Sequence, residues 1–229
     1  MDANALWSDD ADDETFVCAA TVVVQPSFVP ELTLRVAHAL APVWEALERR
    51  ARRSVPPPYW AFPWPGSLAF ARYVLDHPEL VARRRVLDFA AGSGLAGIAA
   101  AQAGAAFVRA CDIDPVAAIA QRLNAALNDV SLETTTEDLI GRDLDDIDVV
   151  LAGDICYERE TSRRIVGWLR HLADQGLVVL LADPGRAYTP SKGLKRLATY
   201  DVPTTRELEN SGQMQTTIWR VLSPHGARS

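Results

Sequence analysis

The clearest pattern along the chain is an alternation of short apolar runs with stretches of helical periodicity, which begins after Arg85. Five runs have the length and composition of strands: RVLDF, AFVRAC, SLETTT, IDVVLAG and LVVLLA. Helices are predicted in LAGIAAAQAG, from Pro115 to about Leu127, and from Thr161 to Ala173. Repeated strand–helix units predict a doubly wound α/β sheet, mostly parallel, that binds ligands outside the carboxyl ends of its strands.

The last part of the chain changes to the two-residue period of strands. The segments TYDVPTTREL and QTTIWRVL flank a turn at NSG, which predicts a C-terminal antiparallel hairpin. A short helix is expected to start at Thr189-Pro190. Together with the parallel strands, the hairpin gives a seven-stranded sheet.

The segment before the alternation divides into a tail and an extension. Residues 1–15 contain SDDADDE and are predicted to form a disordered acidic tail. Residues 16–65 form an N-terminal extension with a short strand at Val22–Val24. Beyond Pro30 apolar residues recur every three or four positions, which predicts a helix that Pro42 bends. These residues are Leu32, Val36, Leu40, Val43 and Leu47.

The main domain is predicted to cover residues 66–229, with Ser67 as the cap of its first helix. Composition limits what such a domain does. The 229 residues are 48% hydrophobic, enough for a substantial core, and the net charge of −7 disfavours stable binding to nucleic acid. Three cysteines without a C-x-x-C pair, and no apolar run long enough for a bilayer, predict a cytoplasmic protein with no metal site and no membrane contact.

The loop after the first strand, Gly92-Ser93-Gly94-Leu95-Ala96-Gly97, has the G-x-G-x-x-G spacing of a dinucleotide site. Asp88 stands just before it, however, and a carboxylate beside a pyrophosphate costs free energy. The same carboxylate is favourable beside the ammonium and sulfonium groups of S-adenosylmethionine. Asp88, Gly92 and Gly94 therefore predict S-adenosylmethionine as the cofactor, with an NAD-dependent oxidoreductase as the alternative.

Two further acids follow the next strands. Asp112 lies 20 residues beyond Gly92, the spacing at which a carboxylate accepts hydrogen bonds from ribose hydroxyls in either kind of nucleotide site. Asp138 follows the third strand, where it is expected either to reach the adenine amino group or to be a solvated loop acid. Asp114 is expected to cap the helix that begins at Pro115.

The acceptor side of the site is predicted after the fourth strand, in VVLAGDICYE. Asp154 and Tyr157 form a D-x-x-Y pattern, in which the carboxylate orients a lysine ammonium and the phenol ring attracts it by a cation–π contact. The amine must lose a proton before it attacks, so catalysis is expected to come mostly from proximity and alignment. The Pro-Pro-aromatic pattern of amide and base methylation is absent.

The aromatic stretch PPYWAFPWPGS precedes the first helix of the main domain. Trp64 is expected to act as a lid over the adenosyl site, and Gly66 to allow a close approach of the backbone there. Trp60 fits such a lid or a plug of the core, which is the usual place of tryptophan.

These segments resemble the electron-transfer flavoprotein β-subunit lysine methyltransferases, a branch of the family-16, seven-β-strand protein methyltransferases. The resemblance covers roughly Phe16 to Leu222. The most specific segments are W-x-x-x-W-P-G, D-x-x-Y and DPGRAY. It implies a Rossmann-like class I methyltransferase fold and methyl transfer to protein lysines, with Asp154 and Tyr157 tied to the substrate.

The resemblance also implies a protein substrate, either the electron-transfer flavoprotein β subunit or a ribosomal protein, and a bacterial cytoplasmic member. Two other functions stay open. A small-molecule N-methyltransferase of the same fold is the nearest alternative, and a non-catalytic S-adenosylmethionine-binding scaffold is another.

Overall fold

The fold is built on a seven-stranded sheet, as the alternation of apolar runs predicts. The structure, a computed structural model, describes residues 12–209 and 211–223. The strands are β1 (Val22–Val24), β2 (Leu34–Val36), β3 (Arg85–Phe89), β4 (Phe107–Cys111), β5 (Glu133–Thr135), β6 (Val149–Gly153), β7 (Val178–Asp183), β8 (Leu194–Pro203) and β9 (Gln213–Val221). The helices are α1 (Asp13–Ala20), α2 (Leu40–Ala51), α3 (Pro65–Asp76), α4 (Leu95–Gln102), α5 (Pro115–Leu127), α6 (Arg159–Asp174) and α7 (Arg206–Glu209), with 3₁₀ turns at Tyr59–Ala61 and Pro78–Leu80.

The order of the strands confirms the doubly wound fold. The large sheet runs β5-β4-β3-β6-β7-β9-β8, so the chain starts at the centre with β3 and reverses direction between β3 and β6. The strands β3 to β7 pair in parallel, and β9 inserts antiparallel between β7 and β8. The reversal places the carboxyl ends of β3 and β6 beside each other, where such sheets bind ligands.

Both faces of the central strands are covered by helices, which explains their continuous apolar runs. On one face, α3 and α4 pack with buried side chains such as Phe70 and Ile98 against the sheet. On the other face, α6 contributes Trp168 and Leu172. A third cluster joins α1, α2 and the 3₁₀ turn at Tyr59–Ala61 to α5.

The prediction that residues 1–15 are a disordered tail is wrong at its carboxyl end. Asp13–Ala20 forms α1, because the Asp12 carboxylate accepts a hydrogen bond from the Thr15 amide (2.8 Å) and Phe16 and Val17 are buried. Residues 1–11 lie outside the described residues. The division of the chain between residues 65 and 66 stays a prediction.

The predicted helix beyond Pro30 is wrong in its first half. Leu34–Val36 forms β2, which pairs antiparallel with β1, and the side chain of Asn124 on α5 binds the Arg35 amide (2.8 Å). Helix α2 begins only at Leu40. Pro42 therefore lies in the first turn, where its missing N–H breaks no helical hydrogen bond, and not in the middle of a helix that it would bend.

Two predicted helix starts are also wrong. Helix α3 begins at Pro65, whose fixed φ suits the first helical position, and Trp64 rather than Ser67 is the N-cap. No helix starts at Thr189-Pro190, since the Thr189 hydroxyl is bonded to Asp183 in the turn after β7.

The C-terminal hairpin is confirmed, but its elements differ in detail. Strand β8 starts at Leu194, before the predicted segment, and TTREL contributes α7 instead of extending the strand. In the part of the chain that the structure describes, no helix is long and apolar enough to cross a membrane.

Candidate functional site

The carboxyl ends of four neighbouring strands, β4, β3, β6 and β7, meet at one edge of the sheet. The glycine loop follows β3, Asp112 follows β4, Asp154 follows β6, and Asp183 ends β7. Because the strands are parallel, the loops predicted to hold the cofactor and those predicted to hold the acceptor come from the same edge.

The glycine loop needs glycine at two positions for its backbone shape. Gly92 and Gly94 have φ of +50° and +80°, in the left-handed region that other residues rarely adopt. Gly94 is also the N-cap of α4, so the loop delivers the free N–H groups of a helix start to the site. A Cβ on Gly92 would lie 3.4 Å from the carbonyl oxygen of Tyr59, which comes from the aromatic segment.

Asp112 fixes the glycine loop to the end of β4. Its two carboxylate oxygens accept hydrogen bonds from the amides of Gly92 (2.9 Å) and Asp114 (3.0 Å). Burial raises the pKa of Asp112, and the two amide donors oppose that rise. Each oxygen keeps a lone pair with which it can accept a further hydrogen bond, as the predicted ribose contact requires.

The residue beside Asp112 was missed by the sequence analysis. Ile113 is 73% exposed just after β4, although its side chain is apolar. The sequence signal was available, since Ile113 stands between two acids in a turn that otherwise needs polar residues. Asp114 caps α5 through the Val116 amide, as predicted.

Asp88 lies beneath the glycine loop and is almost completely buried. One of its oxygens accepts a hydrogen bond from the Gly97 amide in α4 (2.7 Å), so the carboxyl group holds the helix in place. Burial raises the pKa of Asp88 to about 8, with a further rise from the Asp112 charge, while the Gly97 bond lowers it. A cation bound in the loop would favour the ionised form.

The high pKa of Asp88 predicts a specific dependence of stability on pH. A carboxyl group whose pKa is raised in the folded state contributes full stability below about pH 4, and this stability is lost as the pH rises through about 8. Asp88→Asn keeps an acceptor for Gly97 but cannot ionise. Without ligand, we expect the variant to melt about 5 °C above the wild type at pH 8, and the difference to shrink toward pH 5.

Thermal melting of both proteins from pH 5 to pH 8 measures this difference. Carboxyl groups that do not interact with Asp88 titrate equally in the two proteins and cancel, and the interaction between Asp88 and Asp112 is part of the measured difference. A constant difference in melting temperature across this range would contradict an Asp88 that ionises at high pH.

Asp154 has a strained backbone, and its side chain is only 12% exposed. Its backbone has φ of +53°, and its amide donates to the carbonyl oxygen of Ala182 on β7 (3.0 Å). One carboxylate oxygen accepts a hydrogen bond from the Gly66 amide, and the other accepts from Arg186 (2.8 and 3.3 Å). Burial raises the pKa of Asp154 to about 6, although Arg186 lowers it.

The backbone of Gly66 lies very close to Asp154. A Cβ on Gly66 would lie 2.5 Å from the Asp154 carboxylate and 3.0 Å from the Ala182 carbonyl oxygen. The start of α3 is thereby pressed against the ends of β6 and β7. The role of Gly66 in the cofactor site stays a prediction.

An aromatic group connects the cofactor side to the acceptor side. The Trp64 indole donates to the carbonyl oxygen of Tyr59 (2.8 Å), and the Tyr59 ring lies 5.7 Å from the rings of both Trp64 and Tyr157. Tyr157 is 53% exposed, and burial of its hydroxyl raises its pKa to about 12, so the phenol is neutral at physiological pH. Trp60 is buried in the core against α5.

Asp138 remains apart from this arrangement. It is exposed, and its carboxylate accepts a hydrogen bond from the nearby Ile140 amide (3.0 Å). Its other neighbour is Arg164, at 3.9 Å. These contacts suit a solvated loop acid, and the adenine contact stays a prediction.

Two charged residues of the acceptor side were not recognised as site residues from the sequence. Arg186 lies in the turn after β7 and binds Asp154, and Glu209 at the end of α7 binds Arg186 (2.8 Å). Arg186 belongs to the quoted DPGRAY segment, but nothing in the sequence indicated its partner, because Glu209 is 23 residues away. In the described residues, no cluster of side chains is suited to hold a metal ion.

Comparison with known proteins gives matches over most of the chain. The family model of ribosomal protein L11 methyltransferase (PrmA) matches residues 73–156. The electron transfer flavoprotein beta subunit lysine methyltransferase of Danio rerio is 38% identical, over 91% of this chain and 83% of the relative. The protein of the same name from Xenopus laevis is 37% identical, over 90% and 85%.

A solved structure has the same fold. SMU.776 complexed with SAH superposes with a TM-score of 0.57 at 10% identity, over 88% of this chain and 56% of that chain. This likeness concerns the fold of the sheet and its helices, which the sequence pattern predicts.

Proposed function

The chain belongs to the electron transfer flavoprotein beta subunit lysine methyltransferase family, and on that premise we propose that it methylates lysine side chains of the electron transfer flavoprotein β subunit. It is an S-adenosylmethionine-dependent protein-lysine methyltransferase with a Rossmann-like class I fold. The observation that supports the acceptor assignment is the position of Asp154, whose side chain is only 12% exposed after the carboxyl end of β6, three residues before the exposed Tyr157.

The residues of the cofactor side fit S-adenosylmethionine. The carboxyl groups of Asp88 and Asp112 lie at the glycine loop, where a bound sulfonium or ammonium group favours the ionised form of Asp88 despite its raised pKa, whereas a pyrophosphate, which is an anion, disfavours that form. Exposed Ile113 offers an apolar surface next to the proposed ribose acid Asp112, which suits an adenine ring. Trp64 is proposed as the lid, because its indole is bonded to the Tyr59 carbonyl group that lies near Gly92. S-adenosylmethionine supplies an electrophilic methyl group.

The acceptor side has the features that a lysine needs. Asp154 is ionised above its pKa of about 6, so at physiological pH it attracts and orients the lysine ammonium. The exposed ring of Tyr157 contacts the cation with its face. Ionised Asp154 favours the protonated amine and therefore does not act as the base. The amine releases its proton to water before it attacks. The contribution of the protein is mainly alignment of the amine in a partly dehydrated site.

A ribosomal protein is the second candidate substrate. The match of residues 73–156 to the L11 methyltransferase model supports it, but that match covers less than half of the chain and ends before Tyr157. The longer matches favour the flavoprotein subunit.

We place the protein in a reducing compartment, the cytoplasm. Cys18, Cys111 and Cys156 are all free thiols. Burial raises the pKa of the Cys111 and Cys156 thiols to about 12, so neither reacts readily. Free thiols are the rule for proteins in such compartments.

A transfer assay with labelled S-adenosylmethionine tests the proposed function. The purified protein is incubated separately with the electron transfer flavoprotein, with ribosomal protein L11 and with a small-molecule fraction of the cell. We expect label in the β subunit, and mass spectrometry should locate it on lysine. Label on L11 alone would favour the second candidate, and label in the small-molecule fraction alone would contradict a protein substrate.

A further inference from the structure

Three charged side chains form a buried network behind the acceptor site. Asp154 follows β6, Arg186 lies in the turn after β7, and Glu209 ends α7 in the connection between β8 and β9. The Arg186 guanidinium binds Asp154 with Nη2 (2.8 Å) and Nε (3.3 Å), and it binds Glu209 with Nη1 (2.8 Å) and Nη2. The Glu209 side chain is only 5% exposed and that of Asp154 only 12%.

The charges of this network do not cancel. Two carboxylates share one guanidinium, which leaves a net charge of −1 in a region where burial strengthens electrostatic interactions. With Arg186 alone, Asp154 would form a neutral pair, and a neutral pair attracts an ammonium group only weakly. Burying a second carboxylate costs desolvation free energy, which points to a function for its charge.

We propose that Glu209 is a positioning residue for the acceptor: by engaging Arg186 it leaves Asp154 the negative charge that attracts the lysine ammonium. The proposal rests on the proposed function, because it assumes a cationic acceptor. It extends the site to the β8–β9 connection, which lies beyond the glycine loop and the D-x-x-Y segment. An oxygen of Asp154 that already accepts one bond has room for a second from the ammonium.

The groups that face Asp154 set the direction of the effect. Arg186 approaches from the β7–β8 turn, the Gly66 amide from α3, and the Asp183 carboxylate from the end of β7. Cys156 lies on the same loop as Asp154, with its thiol beside Asp183. When the Glu209 charge is removed, Arg186 interacts with only one carboxylate of the network, Asp154, so the pKa of Asp154 falls.

The net charge of the three side chains predicts opposite effects on KM for two variants. Glu209→Gln brings the network to zero, and we expect KM for the flavoprotein substrate to rise about tenfold with kcat within about twofold. The double variant Arg186→Gln with Glu209→Gln restores −1 only where Asp154 is ionised, so at pH 9, above its raised pKa, its KM should return to within about threefold of that of the wild type at the same pH. A purely structural role predicts that the double variant is at least as impaired as the single one.

Two controls accompany the kinetics. Glu133→Gln removes the same charge from a carboxylate paired with Arg109 at the opposite edge of the sheet, and its KM should not change. Glu209→Asp keeps the charge, so its KM should stay nearer to that of the wild type than to that of Glu209→Gln. Equal KM values for wild type and Glu209→Gln would overturn the proposal.

An NMR titration separates this proposal from the proposed function. The chain is labelled with ¹³C at the aspartate carboxyl groups, and the Asp154 signal is assigned from its loss in Asp154→Asn. Its pKa should fall in Glu209→Gln and rise in the double variant. A shift without turnover on the flavoprotein would overturn the proposed substrate and leave the charge network in place, whereas an unchanged pKa overturns the role of Glu209.

Discussion

Replacing Asp154 with asparagine is expected to lower kcat/KM for the protein substrate about 100-fold and to leave the fold and the binding of S-adenosylhomocysteine intact. Asparagine keeps the shape of the side chain and can still accept the hydrogen bond from Gly66. It loses the charge that orients the ammonium. Arg186 keeps an ionic partner in the variant, because it still binds Glu209. The loss is therefore expected in the chemistry and not in folding.

The pH dependence of the wild type provides a second readout of Asp154. Both the neutral amine and ionised Asp154 are needed, so log kcat/KM should rise with a slope of two below about pH 6 and a slope of one above it. In Asp154→Asn the slope should be one throughout, because only the amine titrates. Initial rates from pH 5 to pH 9 with labelled S-adenosylmethionine measure both profiles.

A matched variant shows whether the effect is local. Asp145→Asn removes an exposed carboxylate from the loop that precedes β6, at the other end of that strand. We expect its kcat/KM to remain within about twofold of the wild type, as for a surface substitution. If Asp154→Asn retained more than half of the wild-type rate, Asp154 would not be the residue that orients the acceptor.

The sequence predicts the centre of the fold and the cofactor loop well, for a local reason. Four of the five parallel strands are mostly apolar runs and β5 is recognised by its threonines, and both the cap at Asp114 and the glycine spacing are read within a few residues. The parts that were wrong depend on tertiary contacts. Val36 has helical spacing to its apolar neighbours, but pairing with β1 and hydrogen bonds from α5 to the same segment place it in a strand.

The acceptor side shows a different limit of sequence reasoning. D-x-x-Y identifies Asp154 and Tyr157 because four adjacent residues carry the pattern. The contact between Gly66 and Asp154 joins residues 88 positions apart, and Glu209 reaches the site only through Arg186. Such contacts arise from the order of the strands, and no local pattern in a single sequence indicates them.

Gly66→Ala is expected to destabilise the protein and to impair methylation at the same time. The new Cβ would lie 2.5 Å from the Asp154 carboxylate, 2.9 Å from the Asp154 amide nitrogen and 3.0 Å from the Ala182 carbonyl oxygen. Two of these atoms are backbone atoms, one directly after β6 and one in β7, and cannot rotate away. We expect a loss of about 2 kcal/mol and a fall in melting temperature of about 5 °C.

The change in activity follows from the position of Asp154. When α3 moves away from β6 and β7, the Gly66 amide no longer holds the carboxylate, and a displacement of about 1 Å at a reacting group costs up to about 100-fold in rate. Gly167→Ala is the matched control, since Gly167 lies within α6 and a Cβ there meets no atom within 4 Å. Alanine in that helix should raise the melting temperature by a few degrees without changing kcat/KM. The two glycine variants must therefore differ in the sign of their stability change, and a Gly66→Ala protein that is as stable and active as Gly167→Ala would disprove the tight contact between α3 and Asp154.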